Sequence, residues 1–237
     1  MEDWKLEPAR DLGLAGLERY RSPWREGGLV ESALRLGWWA SLRATFRLWN
    51  RLKVRGAENL PREPPFVLVA NHASHLDALV LGSLVPLRWR DQLSPLAAKD
   101  VFFETLPAAG FAAAVLNALP VWRRAARGRG LADLRRRLVE GPCVYVLFPE
   151  GGRARDGKMG AFKPGVGMLV AGTPVPVVPC HLQGTFQALP PGSWLPRPSP
   201  ITVRVGRPMT FEGRADGKAG WEEVAAALEE AVRGLGR

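Results

Sequence analysis

The sequence predicts a single α/β domain, built on a mixed, largely parallel sheet covered by helices on both faces and preceded by an amphipathic N-terminal helical element. Three observations carry this. Beyond the proline-rich stretch Pro61 to Pro65, strand-like and helix-like segments alternate, which is the pattern of α/β architecture. Several strand candidates are unbroken apolar runs rather than alternating ones, as expected where helices bury both faces of a sheet. The 237 residues, 46% of them hydrophobic, suffice to bury about 70 to 75% of the surface the unfolded chain exposes, so no disulfide or metal staple is needed.

Residues 1 to 28 are punctuated by Pro8, Pro23 and Gly27-Gly28, read as an irregular or weakly helical lead-in, and carry no functional assignment. From Leu29 to Leu52, Leu34, Trp38, Leu42, Phe46, Trp49 and Leu52 recur at helical spacing, with Arg35, Arg43, Arg47 and Arg51 beside them. Trp and Leu on one side with Arg along it fit an interfacial membrane helix and equally a helix packing its Trp face on the protein's own core. Strands are expected at Phe66 to Ala70, Leu96 to Lys99, Ala118 to Trp122, Cys143 to Phe148, Val175 to Cys180 and Ile201 to Val205. Helices are expected at Leu76 to Val85, Gly130 to Glu140 and Trp221 to Val232. The division is an N-terminal helical segment over 1–54, membrane-contacting on the first of these readings, and an α/β domain over 55–237.

Thirty-three Lys and Arg against 23 Asp and Glu leave a net charge of +10, which draws the molecule toward an anionic partner: nucleic acid, phospholipid headgroups or a phosphorylated substrate. No helix-turn-helix, RNP or zinc-finger pattern supports nucleic acid. The two cysteines, Cys143 and Cys180, sit in apolar stretches and read as small core hydrophobes in a reducing compartment. Met1-Glu2-Asp3-Trp4 is acidic where a signal peptide would be basic, so a cytosolic protein is expected. The most apolar segment, Val101 to Trp122, is interrupted by Glu104, Pro107 and Pro120, which disfavours a spanning helix but leaves surface attachment open.

Chemistry concentrates at Asn71-His72-Ala73-Ser74-His75-Leu76-Asp77, directly after an apolar strand. On one continuous helix, residues five apart diverge by about 140°, so His72 and Asp77 meet only if a turn intervenes. A strand ending at Ala70 and a helix starting near Ser74 supply that turn. The carboxylate then fixes the imidazole tautomer while the other ring nitrogen accepts a proton. Ser74-x-x-Asp77 also fits a capping box, in which the acid merely closes the helix start. His75 and His181 read as structural. A second loop, Phe148-Pro149-Glu150-Gly151-Gly152-Arg153-Ala154-Arg155, opens from an apolar strand into paired glycines and arginines, suited to a phosphate. The arginines at 123, 124, 127, 129 and 135–137 form a basic cluster that also fits a solvated face.

His72-x4-Asp77 preceded by Asn71, Val121-Trp122-Arg123, Phe148-Pro149-Glu150-Gly151 with Arg153, and Val175-Pro176-Val177-Val178-Pro179 occur in that order, and together they resemble the glycerophospholipid acyltransferases, most closely the bacterial lysophosphatidate type. The resemblance covers roughly residues 55 to 210. It implies that His72 deprotonates the acceptor hydroxyl for direct attack on an acyl thioester, with Asp77 orienting the ring. It further implies that Arg123, Glu150, Gly151 and Arg153 bind the glycerol phosphate, with Lys99 similarly placed. The Val175 to Pro179 block is assigned to acyl-donor binding or structural support. Gly152 stands where the family commonly has Thr, and Trp122 where an acid or polar residue is frequent.

The expected activity is thus transfer of a fatty acyl group from acyl-CoA or acyl-carrier protein to the free hydroxyl of a lysophospholipid, foremost 1-acylglycerol-3-phosphate to give phosphatidate, at the cytoplasmic face of the cell membrane. No metal or organic cofactor is called for, since a thioester is already activated. Alternatives are a relative acting on another lyso-lipid, or a non-catalytic peripheral protein binding anionic lipid.

Overall fold

The protein is described by a computed structural model covering residues 11–121, 129–190, 192–193 and 195–237. Two helices, α1 (Gly16–Arg21) and α2 (Leu29–Leu48), precede the sheet. The chain continues through β1 (Lys53–Arg55), β2 (Phe66–Ala70), α3 (Leu76–Leu84), β3 (Leu93–Ala98), α4 (Lys99–Phe102), α5 (Leu106–Ala114), β4 (Leu119–Val121) and α6 (Arg129–Glu140). It ends with β5 (Val144–Leu147), α7 (Gly165–Val170), β6 (Val177–Gln183), α8 (Thr185–Ala188), β7 (Thr202–Val205) and α9 (Lys218–Leu235). The strands form one sheet in the order β1-β7-β6-β2-β5-β3-β4, parallel throughout except where β6 meets β7. A mixed, mostly parallel sheet is therefore confirmed.

Strand β2 lies at the centre, between β6 and β5, and all five of its residues are buried. Its side chains divide by parity. Phe66, Leu68 and Ala70 join Val144, Val146, Val178 and Cys180 under α2 and α3, while Val67 and Val69 join Tyr145, Leu134, Leu169, Val224 and Leu228 under α6, α7 and α9. Both faces are covered, which is why these strands read as continuous apolar runs. Cys143 and Cys180 are buried free thiols; burial pushes both up, Cys180 to about 12, so they serve as packing.

The first long helix departs from its expected face. Trp39 and Phe46 are buried in the core with Trp38 and Leu42 packed beside them, while Leu34 and Trp49 are exposed. Arg35 is also turned inward, its guanidinium donating to the Ala113 and Ala114 carbonyls and to Asp91. Arg43 donates to the carbonyls of Ser83 and Val85, joining α2 to the end of α3. Of the arginines expected to flank a lipid face, Arg47 and Arg51 remain exposed.

Close docking of α2 on α3 depends on Gly82, where an added Cβ would lie 2.4 Å from Trp39 Cη2 and 2.6 Å from Cζ3. The indole is almost wholly buried and has nowhere to go. Gly82→Ala is expected to destabilise the protein by about 1 to 3 kcal/mol, more than the roughly 1 kcal/mol that Ala gains as a helix former. Urea unfolding of the two proteins checks this; equal midpoints would mean that the helices separate freely.

Candidate active site

The ends of β2, β5 and β3 point the same way because the three strands are parallel, and the loops leaving them converge at one edge of the sheet. Asn71, the first residue past β2, is clamped to β6: its side-chain amide donates to the Leu182 carbonyl at 3.0 Å, and its oxygen accepts the Leu182 N–H at 2.8 Å. The chain then turns sharply, so that His72 and Asp77 come together. Nδ1 of His72 lies 2.8 Å from Asp77 Oδ2. That same oxygen accepts the backbone N–H groups of Ala73 and Ser74, each at 2.7 Å.

The two readings of this segment are therefore both realised. Asp77 ties off the helix start through the Ser74 N–H, as in a capping box, and orients the imidazole with the same atom. Ser74 completes the bend by accepting the Leu76 N–H and donating to the Leu189 carbonyl, which leaves it no nucleophilic part. Asp77 is fully buried, whereas the His72 side chain keeps 18% of its surface exposed. Because a carboxylate can only accept, its bond with Nδ1 holds the proton there and leaves Nε2 the acceptor. Nε2 makes no hydrogen bond among the described residues.

The loop after β5 encloses His72 from three directions. The Phe148 ring stacks on the imidazole, centroids 4.1 Å apart and planes within 14°. Glu150 Oε1 accepts the His72 N–H at 2.7 Å, and the Ala154 N–H donates to the His72 carbonyl at 2.8 Å. The other Glu150 oxygen accepts the Gly160 N–H at 2.8 Å. Partial burial raises the Glu150 carboxyl above the ordinary range, opposed by these two N–H donors. Glu150, expected to contact substrate, thus has each oxygen engaged by the protein's own backbone and braces the His72 loop. Gly151 turns the chain at φ +71°, a conformation that favours glycine.

Arg153 projects exposed from the same loop. Its charge reaches His75, whose imidazole is held below the usual histidine range by partial burial first, then by Arg153 and His72. Lys99 opens α4 at the end of β3, on the same edge of the sheet, its ammonium lowered by burial and by Arg21. Arg123, Arg124, Arg127 and Trp122 lie outside the described residues. The Val175 to Pro179 block runs into β6, its valines buried, the Val67 N–H on the Pro176 carbonyl and the Gly206 N–H on that of Pro179. Burial and these backbone bonds are what the structural-support reading expects. Arg135 of the basic cluster donates to the Met168 and Ala171 carbonyls at the end of α7. Among the described residues no three His, Cys, Asp or Glu are grouped to hold a metal ion.

Sequence reasoning left Phe148 and Asn71 without individual tasks. Their signal was position: each adjoins the last residue of a buried strand at the sheet edge where the histidine lies.

A buried carboxylate orienting an accessible imidazole, at the C-terminal edge of an α/β sheet, is an arrangement for proton transfer. Residues 51–183, more than half of the chain, match the family Acyltransferase, and the protein belongs to that family. The chain is 36% identical over 160 residues to the chloroplastic 1-acyl-sn-glycerol-3-phosphate acyltransferase BAT2 of Brassica napus, covering 65% of this chain and 43% of the relative. It is 31% identical over 168 residues to a 1-acyl-sn-glycerol-3-phosphate acyltransferase of Pseudomonas aeruginosa, covering 69% and 61%. The chain thus spans less than two thirds of the length of these relatives. The crystal structure of the 1-acyl-sn-glycerophosphate acyltransferase PlsC of Thermotoga maritima superimposes with a TM-score of 0.66 at 27% identity, over 85% of this chain and 78% of that one.

Proposed function

We propose that this protein acylates the free hydroxyl of 1-acylglycerol-3-phosphate, using acyl-CoA or acyl-carrier protein as donor and releasing phosphatidate and a free thiol. The observation that carries the reading is the His72–Asp77 pair with Nε2 left open. Nε2 takes the proton of the acceptor hydroxyl as its oxygen bonds to the thioester carbonyl carbon; the C–S bond breaks, and the departing thiolate receives the proton back. Asp77 stabilises the imidazolium formed in between. Arg153 is the cation for the acceptor phosphate, with Lys99 and Arg123 the further candidates.

The work is done at the cytoplasmic face of the cell membrane. Supporting this, Leu29, Val30, Leu34, Leu48 and Trp49 are exposed on or just beyond α2, with Arg47 and Arg51 close by. An apolar groove of about 630 Å³ runs between α2 and α5, lined by Val30, Leu34, Trp38, Phe111 and Val115 among others. Exposed apolar side chains flanked by guanidinium groups suit the headgroup layer of an anionic bilayer. No described helix is long and apolar enough to cross a membrane.

The test is product analysis after incubating the purified protein with a panel of lysolipids and both donor types, with thiol release followed in parallel. Phosphatidate formed with stoichiometric thiol is expected. No acyl ester with any acceptor would refute the reading. Within it, Arg153→Ala is expected to raise KM for lysophosphatidate about 10- to 100-fold, the loss of one charge-assisted contact, with kcat much less affected. An unchanged KM would place the phosphate elsewhere.

A further inference from the structure

We propose that Lys163, absent from all four sequence blocks, is a second cation for the acceptor phosphate and sets preference for a phosphomonoester over a phosphodiester headgroup. The inference rests on the acyltransferase reading above. Its basis is the space left by Gly151: a Cβ there would lie 2.6 Å from Lys163 Nζ, 3.2 Å from Cδ and 3.3 Å from Cε. The end of the lysine therefore lies across the open face of that glycine, two residues from Arg153 in the loop that encloses His72. Gly151 answers two demands at once, a positive φ and the passage of this side chain.

Lysine is held there by its backbone. The Lys163 N–H donates to the Pro149 carbonyl at 2.9 Å, tying it to the loop after β5. One residue earlier, Phe162 is buried and its N–H donates to Glu229 Oε2 at 2.8 Å, with Glu229 in turn bonded by Arg233. The ammonium itself has no hydrogen-bond or ion-pair partner among the described residues. Of the two acids in the loop, Glu150 is turned to the backbone N–H groups of His72 and Gly160 and Asp156 accepts the Lys158 N–H; neither forms an ion pair with it. A cation lying beside the glycine of the site loop, with no counter-charge from either carboxylate of that loop, is available to an anionic ligand.

Charge decides which ligand. A phosphomonoester carries between one and two negative charges at neutral pH, so a single guanidinium leaves it undercompensated, whereas a phosphodiester carries one. Arginine supplies a planar fork and lysine a compact point charge; the pair together match a terminal phosphate, whose oxygens can be approached from two sides. An added headgroup on the phosphate would place ester bulk where the ammonium belongs.

Lys163→Gln and Lys163→Arg test this in the full chain. With lysophosphatidate varied at saturating donor, Lys163→Gln is expected to raise KM about tenfold or more with kcat within about threefold, and Lys163→Arg to recover most of the loss. With lysophosphatidylglycerol, a single-charge acceptor, the same substitution is expected to change kcat/KM much less, so the preference between acceptors collapses. Unchanged KM, a rise in the donor's KM instead, or a fall in kcat alone would each overturn the proposal. Calorimetric titration with sn-glycerol 3-phosphate reads Lys163 without turnover, so it stands apart from any failure of the acyltransferase reading. Weaker binding by Lys163→Gln than by the unsubstituted protein is expected; equal binding, or none by either, overturns the assignment.

Discussion

Replacing His72 with Ala is expected to lower kcat by about 10² to 10⁴, the usual contribution of a positioned general base, while the protein stays folded. The separation of the two effects follows from how the residue is held. Its backbone N–H and carbonyl are bonded to Glu150 and Ala154, and neither bond involves the imidazole. Asp77 keeps the Ala73 and Ser74 N–H groups when the ring is gone, so its buried charge is not orphaned. What is lost is the Nδ1–H bond to Asp77, the stack on Phe148 and the proton acceptor. Thiol release at saturating substrates, beside circular dichroism and thermal unfolding, checks the expectation. A variant keeping a tenth or more of the activity would remove His72 as the base.

The legibility of this site in the sequence tracks how local each part is. His72 and Asp77 are five residues apart, and the apolar run of β2 announces where the chain must turn, so the turn and the spacing together bring them within reach. The task of Glu150 was hidden because it depends on β5 lying beside β2, which no spacing records. Lys163 was hidden for a related reason: its place is defined by a missing side chain at Gly151, twelve residues earlier in the chain.

The same distinction holds for the fold. Central strands β2 and β5 were readable because burial on both faces makes them apolar throughout. Edge strand β1, Lys53-Val54-Arg55, was not: three residues with two exposed charged ends carry no apolar signal, and only pairing with β7 defines it. Strand β3 begins at Leu93 rather than Leu96: Ser94 is buried with its hydroxyl oxygen accepting from the Asn117 amide, so a polar residue marks core instead of loop. Helix α5 is rich in Ala with Pro107 near its start and has little amphipathic contrast. In α2 the adjacent Trp38 and Trp39 make the helical phase ambiguous. Which indole goes inward is decided by the space at Gly82 in α3.

Asp77 gives the second large effect, and its two substitutions separate the jobs it combines. Asp77→Ala removes the acceptor for two backbone N–H groups and for the imidazole at once. Each buried donor left unpaired costs about 1 to 3 kcal/mol, so this variant is expected to lose about 2 to 5 kcal/mol of stability along with most of its turnover. Asp77→Asn is different. The Ala73 and Ser74 N–H groups require an acceptor where Oδ2 now sits, so the amide is forced to place its oxygen there. That oxygen still receives Nδ1–H and preserves the tautomer with Nε2 free. The missing element is the negative charge that steadies the imidazolium during proton transfer. The amide NH2 must then occupy the Oδ1 position, which is buried and has no partner. Asp77→Asn is therefore expected to fold with a smaller loss of stability than Asp77→Ala and to lose about 10- to 100-fold in kcat, less than His72→Ala. Turnover and urea unfolding of the three variants side by side check the order. An Asn variant as inactive as His72→Ala would show that its amide is flipped, with NH2 against the ring and the proton driven to Nε2, as happens when the carboxylate of a hydrolase triad is changed to Asn.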